Sequence, residues 1–164
     1  MNKEKLSLFL ENARILRERL GIVPLLYGSL GLEVRIGEAV GADDIDILIP
    51  KAFITDRWSE LKAVLEGKGY ILTDEHEHTF TLDGVEYSYA DIEDLEPFAG
   101  ICLPDIEVCE ERGVTFMLLT LSQYLSVYKS SLKDGYRINV RKKKDGEKIA
   151  LIEAILNTDN DFSK

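Results

Sequence analysis

Cysteine, proline and histidine are all scarce in this chain: 164 residues include two cysteines, four prolines and two histidines. Cys102 and Cys109 are too few for a disulfide framework, and no second pair or nearby histidine turns them into a zinc site, so both are read as free thiols. Basic residues are the minority, 20 Lys and Arg against 30 Asp and Glu, for a net charge of −10. That balance disfavours extended binding along a nucleic-acid backbone, which needs many cations to displace condensed counterions, but it leaves a nucleotide pocket open. No apolar run approaches a bilayer span, and Met1-Asn2-Lys3-Glu4-Lys5 leads into an amphipathic pattern rather than an apolar leader. Neither export nor a membrane anchor is predicted, and the cytoplasm is the expected location. What the chain does have is 45% apolar residues, enough for one domain with a proper core over residues 1–157, its helical part from about 120, and a polar tail over 158–164. No repeat or interdomain linker interrupts it.

Hydrophobic spacing predicts the elements. Leu6, Phe9, Leu10, Ala13, Leu16 and Leu20 recur at three and four, the pattern of an amphipathic helix that Gly21 ends. Val23 to Tyr27 reads as a short buried strand running into Gly28-Ser29, with Ser29 as a helix N-cap. Asp44-Ile45-Asp46-Ile47-Leu48-Ile49 alternates acid and apolar residues and stops at Pro50, a second strand. A helix is expected over Thr55 to Glu66, and strands at Tyr70 to Leu72, His78 to Leu82 and Val85 to Ile92. Asp83-Gly84 between the last two is the dipeptide a type I′ hairpin turn requires. Residues 93–112 read as a loop-rich connection before the apolar run Val114 to Leu119. Thr120 and Gln123 have capping-box spacing before a helix, and a last helix is predicted from about Gly146 to Asn157.

The pattern that carries chemistry is a combination. On a strand, residues two apart project to one face, so Asp44 and Asp46 aim two hard anionic ligands at one spot, as a Mg²⁺ ion requires. Fifteen residues before Asp44, Ser29 and the N–H groups of the following helix offer donors to a polyphosphate, while Gly28 permits close backbone approach. A third carboxylate is expected from a neighbouring strand, with Asp91 the best candidate and Glu86 and Glu93 behind it. Residues 129–148 hold eight basic and three acidic side chains, a local charge of +5 that leaves −15 for the rest. Within that segment Lys129 and then Arg137 are the expected phosphate contacts. His76 and His78 have an alternating spacing that suits two metal-bound imidazoles, though an exposed polar strand start explains it more simply.

Taken together, Tyr27-Gly28-Ser29-Leu30-Gly31-Leu32-Glu33-Val34, Asp44-Ile45-Asp46-Ile47 and Glu86-Tyr87-Ser88-Tyr89-Ala90-Asp91-Ile92 resemble the nucleotidyltransferase fold of the DNA polymerase β superfamily. The likeness is to short lincosamide and aminoglycoside nucleotidyltransferases and to toxin nucleotidyltransferases of abortive-infection type, where a basic-Lys-Asp stretch like Lys143-Lys144-Asp145 recurs. The resemblance implies an α/β (α+β) fold with a mixed, mainly antiparallel sheet backed by helices and a helical C-terminal segment. It implies Asp44, Asp46 and Asp91 as metal ligands, Asp91 otherwise as the base for the acceptor, and Gly28 and Ser29 at the triphosphate. The expected reaction moves a nucleoside monophosphate from a Mg²⁺-bound NTP to a hydroxyl on an unidentified small-molecule, RNA or protein acceptor, releasing pyrophosphate. Asp43 stands where the lincosamide branch often has a basic residue, which keeps an alternative: a catalytically silent domain that binds a nucleotide or a toxin/antitoxin-type partner.

Overall fold

In a computed structural model, residues 2–133 and 139–162 are described. The first element, α1 (Lys3–Leu20), starts where the Asn2 side chain accepts the Lys5 N–H at 3.0 Å and stops at Gly21 in the left-handed conformation. Its buried face, including Leu6, Phe9, Leu10, Ala13 and Leu16, lies on the sheet. Then come β1 (Leu25–Tyr27), α2 (Gly28–Ile36), β2 (Ile45–Ile49) and α3 (Trp58–Gly67). The strands β3 (Ile71–Asp74), β4 (Thr79–Leu82) and β5 (Val85–Asp91) form a meander, and α4 (Leu95–Ala99) follows it. A second hairpin, β6 (Glu107–Glu111) and β7 (Val114–Leu118), leads into α5 (Leu121–Lys133) and α6 (Asn139–Phe162).

The seven strands make one sheet in the order β3-β4-β5-β2-β1-β7-β6. Four neighbouring pairs are antiparallel, while β2 with β5 and β1 with β7 are parallel. This is the mixed, mainly antiparallel sheet backed by helices that the resemblance implied. The Asp83-Gly84 hairpin forms as expected, with φ of 50° and 81° at its two central residues and Leu82 paired with Val85. Arg112-Gly113 makes a second hairpin with the same left-handed signs, φ 52° and 78°.

That second hairpin and α4 replace part of the expected 93–112 loop. Glu107-Val108-Cys109-Glu110-Glu111 lies at the sheet's edge, four of its five residues exposed, so it needs no apolar alternation and leaves no strand signal. The last helix likewise begins at Asn139 rather than Gly146, which lies inside it. The Thr120–Gln123 box is reciprocal: Thr120 N–H donates to Gln123 Oε1 at 3.0 Å and Gln123 N–H to Thr120 Oγ1 at 3.2 Å.

Strand alternation divides the core in two. Ile45, Ile47 and Ile49 join Phe80, Tyr87, Tyr89 and the α1 face on one side of the sheet. Leu25 and Leu48 join Leu119, Tyr124, Val127 and Ile152 on the other, beneath α5 and α6. Asp46 falls between Ile45 and Ile47 and therefore belongs to the α5–α6 side. Among the described residues no helix is long and apolar enough to cross a membrane.

Candidate functional site

A cleft of about 890 Å³ opens on that side of the sheet. The β1–α2 junction forms one wall with Tyr27, Gly28 and Ser29, the segment into β2 brings Asp43, Asp44 and Asp46, and β5 contributes Ser88. Across from them stand Tyr124 and Tyr128 on α5 and Lys144, Asp145, Glu147 and Lys148 on α6.

Gly28 is required at its position for two reasons. Its φ is +63°, and a Cβ there would overlap the Asp46 carboxylate. The chain therefore turns from β1 into α2 with its backbone pressed against an acid, leaving the first N–H groups of α2 beside it. Ser29 is not the N-cap that the sequence suggested: α2 begins at Gly28, with Tyr27 in the cap position. The Ser29 hydroxyl instead accepts a hydrogen bond from Lys148 Nζ at 2.7 Å. Lys148 Nζ also lies 5.3 Å from the centre of the Tyr128 ring, within range of a cation–π attraction. Tyr124 packs over Gly31, its hydroxyl 3.4 Å from the Leu26 carbonyl, and burial pushes that phenol far above its ordinary value, so it stays neutral.

Asp44 and Asp46 share the cleft, Asp44 exposed just ahead of β2 and Asp46 half-buried within it. Asp91 does not join them. The parallel β2–β5 register sets Asp46 beside Ser88 and Ile49 beside Asp91, so Asp91 is three residues farther along and on the opposite face. Its Oδ1 accepts the Glu93 N–H at 2.8 Å, capping the turn that follows. On the cleft face the neighbours of Asp46 across the sheet are Tyr27 and Ser88, and the Ser88 hydroxyl is 2.9 Å from that of Thr79. Among the described residues no group of three or more His, Cys, Asp or Glu converges closely enough to enclose a metal ion. Two carboxylates nevertheless fit Mg²⁺, which keeps several waters and is commonly shared between one or two protein acids and substrate phosphates.

Lys129 also lies elsewhere. Its Nζ is 3.5 Å from Glu153 on a solvent-exposed stretch of the α5–α6 pair, and it does not line the cleft. Arg137 lies outside the described residues. His76 is exposed beside Glu77, while His78 stacks edge-on against Trp58 with ring centres 4.6 Å apart, so the two imidazoles have separate surroundings. Neither thiol is activated: the Glu96 carboxylate raises the Cys102 pKa, and burial and then Glu107 raise that of Cys109.

Lys148 and Ser88 are the residues that the sequence reading missed. Lys144 and Lys148 are four apart and so share a helical face, a signal lost when the helix was begun at Gly146. Ser88 differs from Asp91 by a strand register, which only the pairing reveals.

Two solved structures share this architecture, and both are of nucleotidyltransferases. The crystal structure of ANT(2")-Ia in complex with adenylyl-2"-tobramycin superposes with a TM-score of 0.56 at 13% identity, over 95% of this chain and 98% of that one. The solution structure of the antibiotic-resistance factor ANT(2'')-Ia gives 0.50 at 12% identity, over 96% and 94%. The fold is therefore the nucleotidyltransferase fold. By sequence, the chain is 41% identical over 148 residues to the "Uncharacterized protein YnaI" of Bacillus subtilis (strain 168), 90% of this chain and 95% of that protein, and it belongs to the YnaI family. No family model matches the sequence.

Proposed function

We propose that this protein is a magnesium-dependent nucleotidyltransferase of the DNA polymerase β superfamily, transferring a nucleoside monophosphate from an NTP to an acceptor hydroxyl with release of pyrophosphate. The observation that carries the reading is the meeting of Asp44 and Asp46 with the Gly28-Ser29 turn and Lys148 in one cleft. Acids for a cation and donors for phosphate are what such a transfer needs side by side. The likeness in fold to ANT(2")-Ia supports it.

In this reading Asp44 and Asp46 hold the cation, which when bound neutralises charge on the phosphoryl group and on the departing pyrophosphate. The start of α2 presents its N–H groups and the Ser29 hydroxyl to the phosphates, and Lys148 adds a positive charge that the adjacent acids otherwise deny the site. The acceptor oxygen bonds to the α-phosphorus as the bond to the bridging oxygen of pyrophosphate breaks, and the acceptor proton leaves to a base. Asp91 pairs with Ile49 on the other face, so this reading assigns the base elsewhere. The acceptor is a small molecule, RNA or protein segment able to reach the open side of the cleft, and the site is a cytoplasmic one.

The test is calorimetric and thermal-shift titration with each of the four NTPs, with and without Mg²⁺, for the wild type and Asp44→Ala/Asp46→Ala. Saturable, magnesium-dependent binding lost in the double variant is expected, followed by pyrophosphate release in an acceptor screen. A folded wild type that binds no NTP overturns the reading. Binding without pyrophosphate release with any acceptor favours the silent nucleotide-binding module.

A further inference from the structure

We propose that Glu33 is a positioning residue for Asp44: its buried carboxylate ties the loop that delivers Asp44 to the helix that forms the phosphate cradle. The inference rests on the nucleotidyltransferase reading above. Asp46 is held by the sheet, with Tyr27 on one side and Ser88 on the other. Asp44 precedes β2 and lacks that support, so its place relative to Gly28 and Ser29 depends on the segment between α2 and β2.

Glu33 governs that segment. It is 1% exposed, on the same helix that starts with Gly28 and Ser29. Its Oε1 accepts the N–H groups of Val40 and Ala42, each at 3.0 Å, and its Oε2 accepts the N–H of Asn2 at 3.2 Å. The Ala42 carbonyl in turn accepts Lys5 Nζ at 3.1 Å. Both backbone polar groups of Ala42, two residues before Asp44, are thus engaged by charged side chains of opposite sign, one from α2 and one from α1. Val40, Gly41, Asp43 and Asp44 all line the cleft, so the anchored loop is a wall of the site.

An ionised carboxylate suits this task because it only accepts, and here it meets three donors. A glutamine amide offers one accepting oxygen and turns an NH₂ donor against at least one N–H. Burying a charge is costly unless it is hydrogen-bonded, and all three donors to Glu33 are backbone N–H groups, two of them in the loop.

The experiment compares NTP affinity with and without Mg²⁺ by calorimetry in the wild type, Glu33→Gln, Lys5→Met and Arg35→Lys, with unfolding temperatures measured alongside. Arg35 is the control: it pins the end of α2 to the Leu118 and Leu119 carbonyls and to Glu107, rather than to the Val40–Ala42 backbone that Glu33 holds. The expected result is that Glu33→Gln loses on the order of tenfold of the affinity gain that Mg²⁺ confers, and that Lys5→Met loses a smaller part. Magnesium-free binding through α2 and Lys148 stays within about twofold in both. Arg35→Lys lowers the unfolding temperature and leaves the magnesium gain intact. An unchanged gain in Glu33→Gln, or a parallel fall of both affinities that tracks stability, overturns the assignment. If Glu33→Gln fails to fold, Lys5→Met decides by the same criterion. A wild type with no magnesium gain overturns the nucleotidyltransferase reading and this inference with it, whereas a wild-type gain that the variants keep overturns this inference alone.

Discussion

Lys148 Nζ lies 2.7 Å from Ser29 Oγ, joining α6 to the first turn of α2 across 119 residues of sequence. The contact closes the cleft's far wall onto the Gly28-Ser29 turn and places Lys148, with Lys144 and unlike Lys129, in the cleft lining. Lys148→Ala is expected to weaken NTP binding about tenfold or more, since a hydrogen bond to a charged group is worth about 1.5–3 kcal/mol. Lys129→Ala removes only an exposed pair with Glu153 and should change affinity and stability by about 0.5 kcal/mol at most. Calorimetry on the two variants side by side checks both, and equal losses would contradict the placement.

The glycines of α2 separate function from folding. Gly28→Ala drives a Cβ into the Asp46 carboxylate at a φ of +63°, a strain of about 1–2 kcal/mol from the left-handed backbone alone. The collision partner is a cleft side chain that can swing aside, so the variant is expected to fold while losing magnesium-dependent NTP binding. Gly31→Ala meets the Tyr124 hydroxyl and the Leu26 carbonyl instead, where α5, β1 and α2 pack together. There the neighbour is backbone, and about 1–3 kcal/mol of stability should be lost as overpacking. Urea unfolding of both, with binding measured on the folded fraction, tests the contrast.

Much of this architecture was legible because local signals agreed with tertiary need. The Asp44-x-Asp46 alternation, the glycine between β1 and α2 and the Asp83-Gly84 turn each impose a backbone geometry that few residue types supply. What escaped has a common physical cause: it depends on pairing between distant segments. Asp91 looked like a partner for Asp46 because it ends an apolar strand near an isoleucine, yet the ladder sets Ser88 there, and an offset of three residues also reverses the face. The β6 edge strand was invisible because an exposed strand has no apolar period to show. Lys148 was hidden by Gly146, which reads as a helix boundary and here sits within α6.

Glu33 gives a pH signature. Burial raises its pKa, but the backbone N–H bonds from Ala42, Val40 and Asn2 outweigh that and hold it below the ordinary value of 4.5. A depressed folded-state pKa means the stabilisation is complete above the unfolded value and is lost as pH falls through the folded one. Wild-type stability is therefore expected to fall from about pH 5 downward, and Glu33→Gln, already destabilised by about 2–3 kcal/mol at neutral pH, should lose less over the same range. Unfolding free energies measured at intervals between neutral pH and pH 3 compare the two slopes, and equal slopes would remove Glu33 as the source.

The Ser88 register makes the strongest claim about the metal, because it can be tested by gain as well as by loss. With Asp44 and Asp46 as the two acids that hold the cation in this reading, the wild type should bind Mg²⁺ well only when phosphates complete the coordination. Magnesium alone should then leave its unfolding temperature unchanged. Ser88→Asp would place a third carboxylate beside Asp46 on the cleft face. Without metal the added repulsion and the lost Thr79 contact should destabilise the variant. With saturating Mg²⁺ and no nucleotide it should recover about 1 kcal/mol or more through binding to the folded state. Asp91→Asn is the companion: it weakens the cap on Glu93 N–H, costing about 1 kcal/mol at most, and should leave magnesium-dependent NTP binding as in the wild type. Loss of magnesium-dependent NTP binding in Asp91→Asn would return Asp91 to the site and refute the register argument, whereas a magnesium response in the nucleotide-free wild type would show that the cleft supplies more than two acids to the cation.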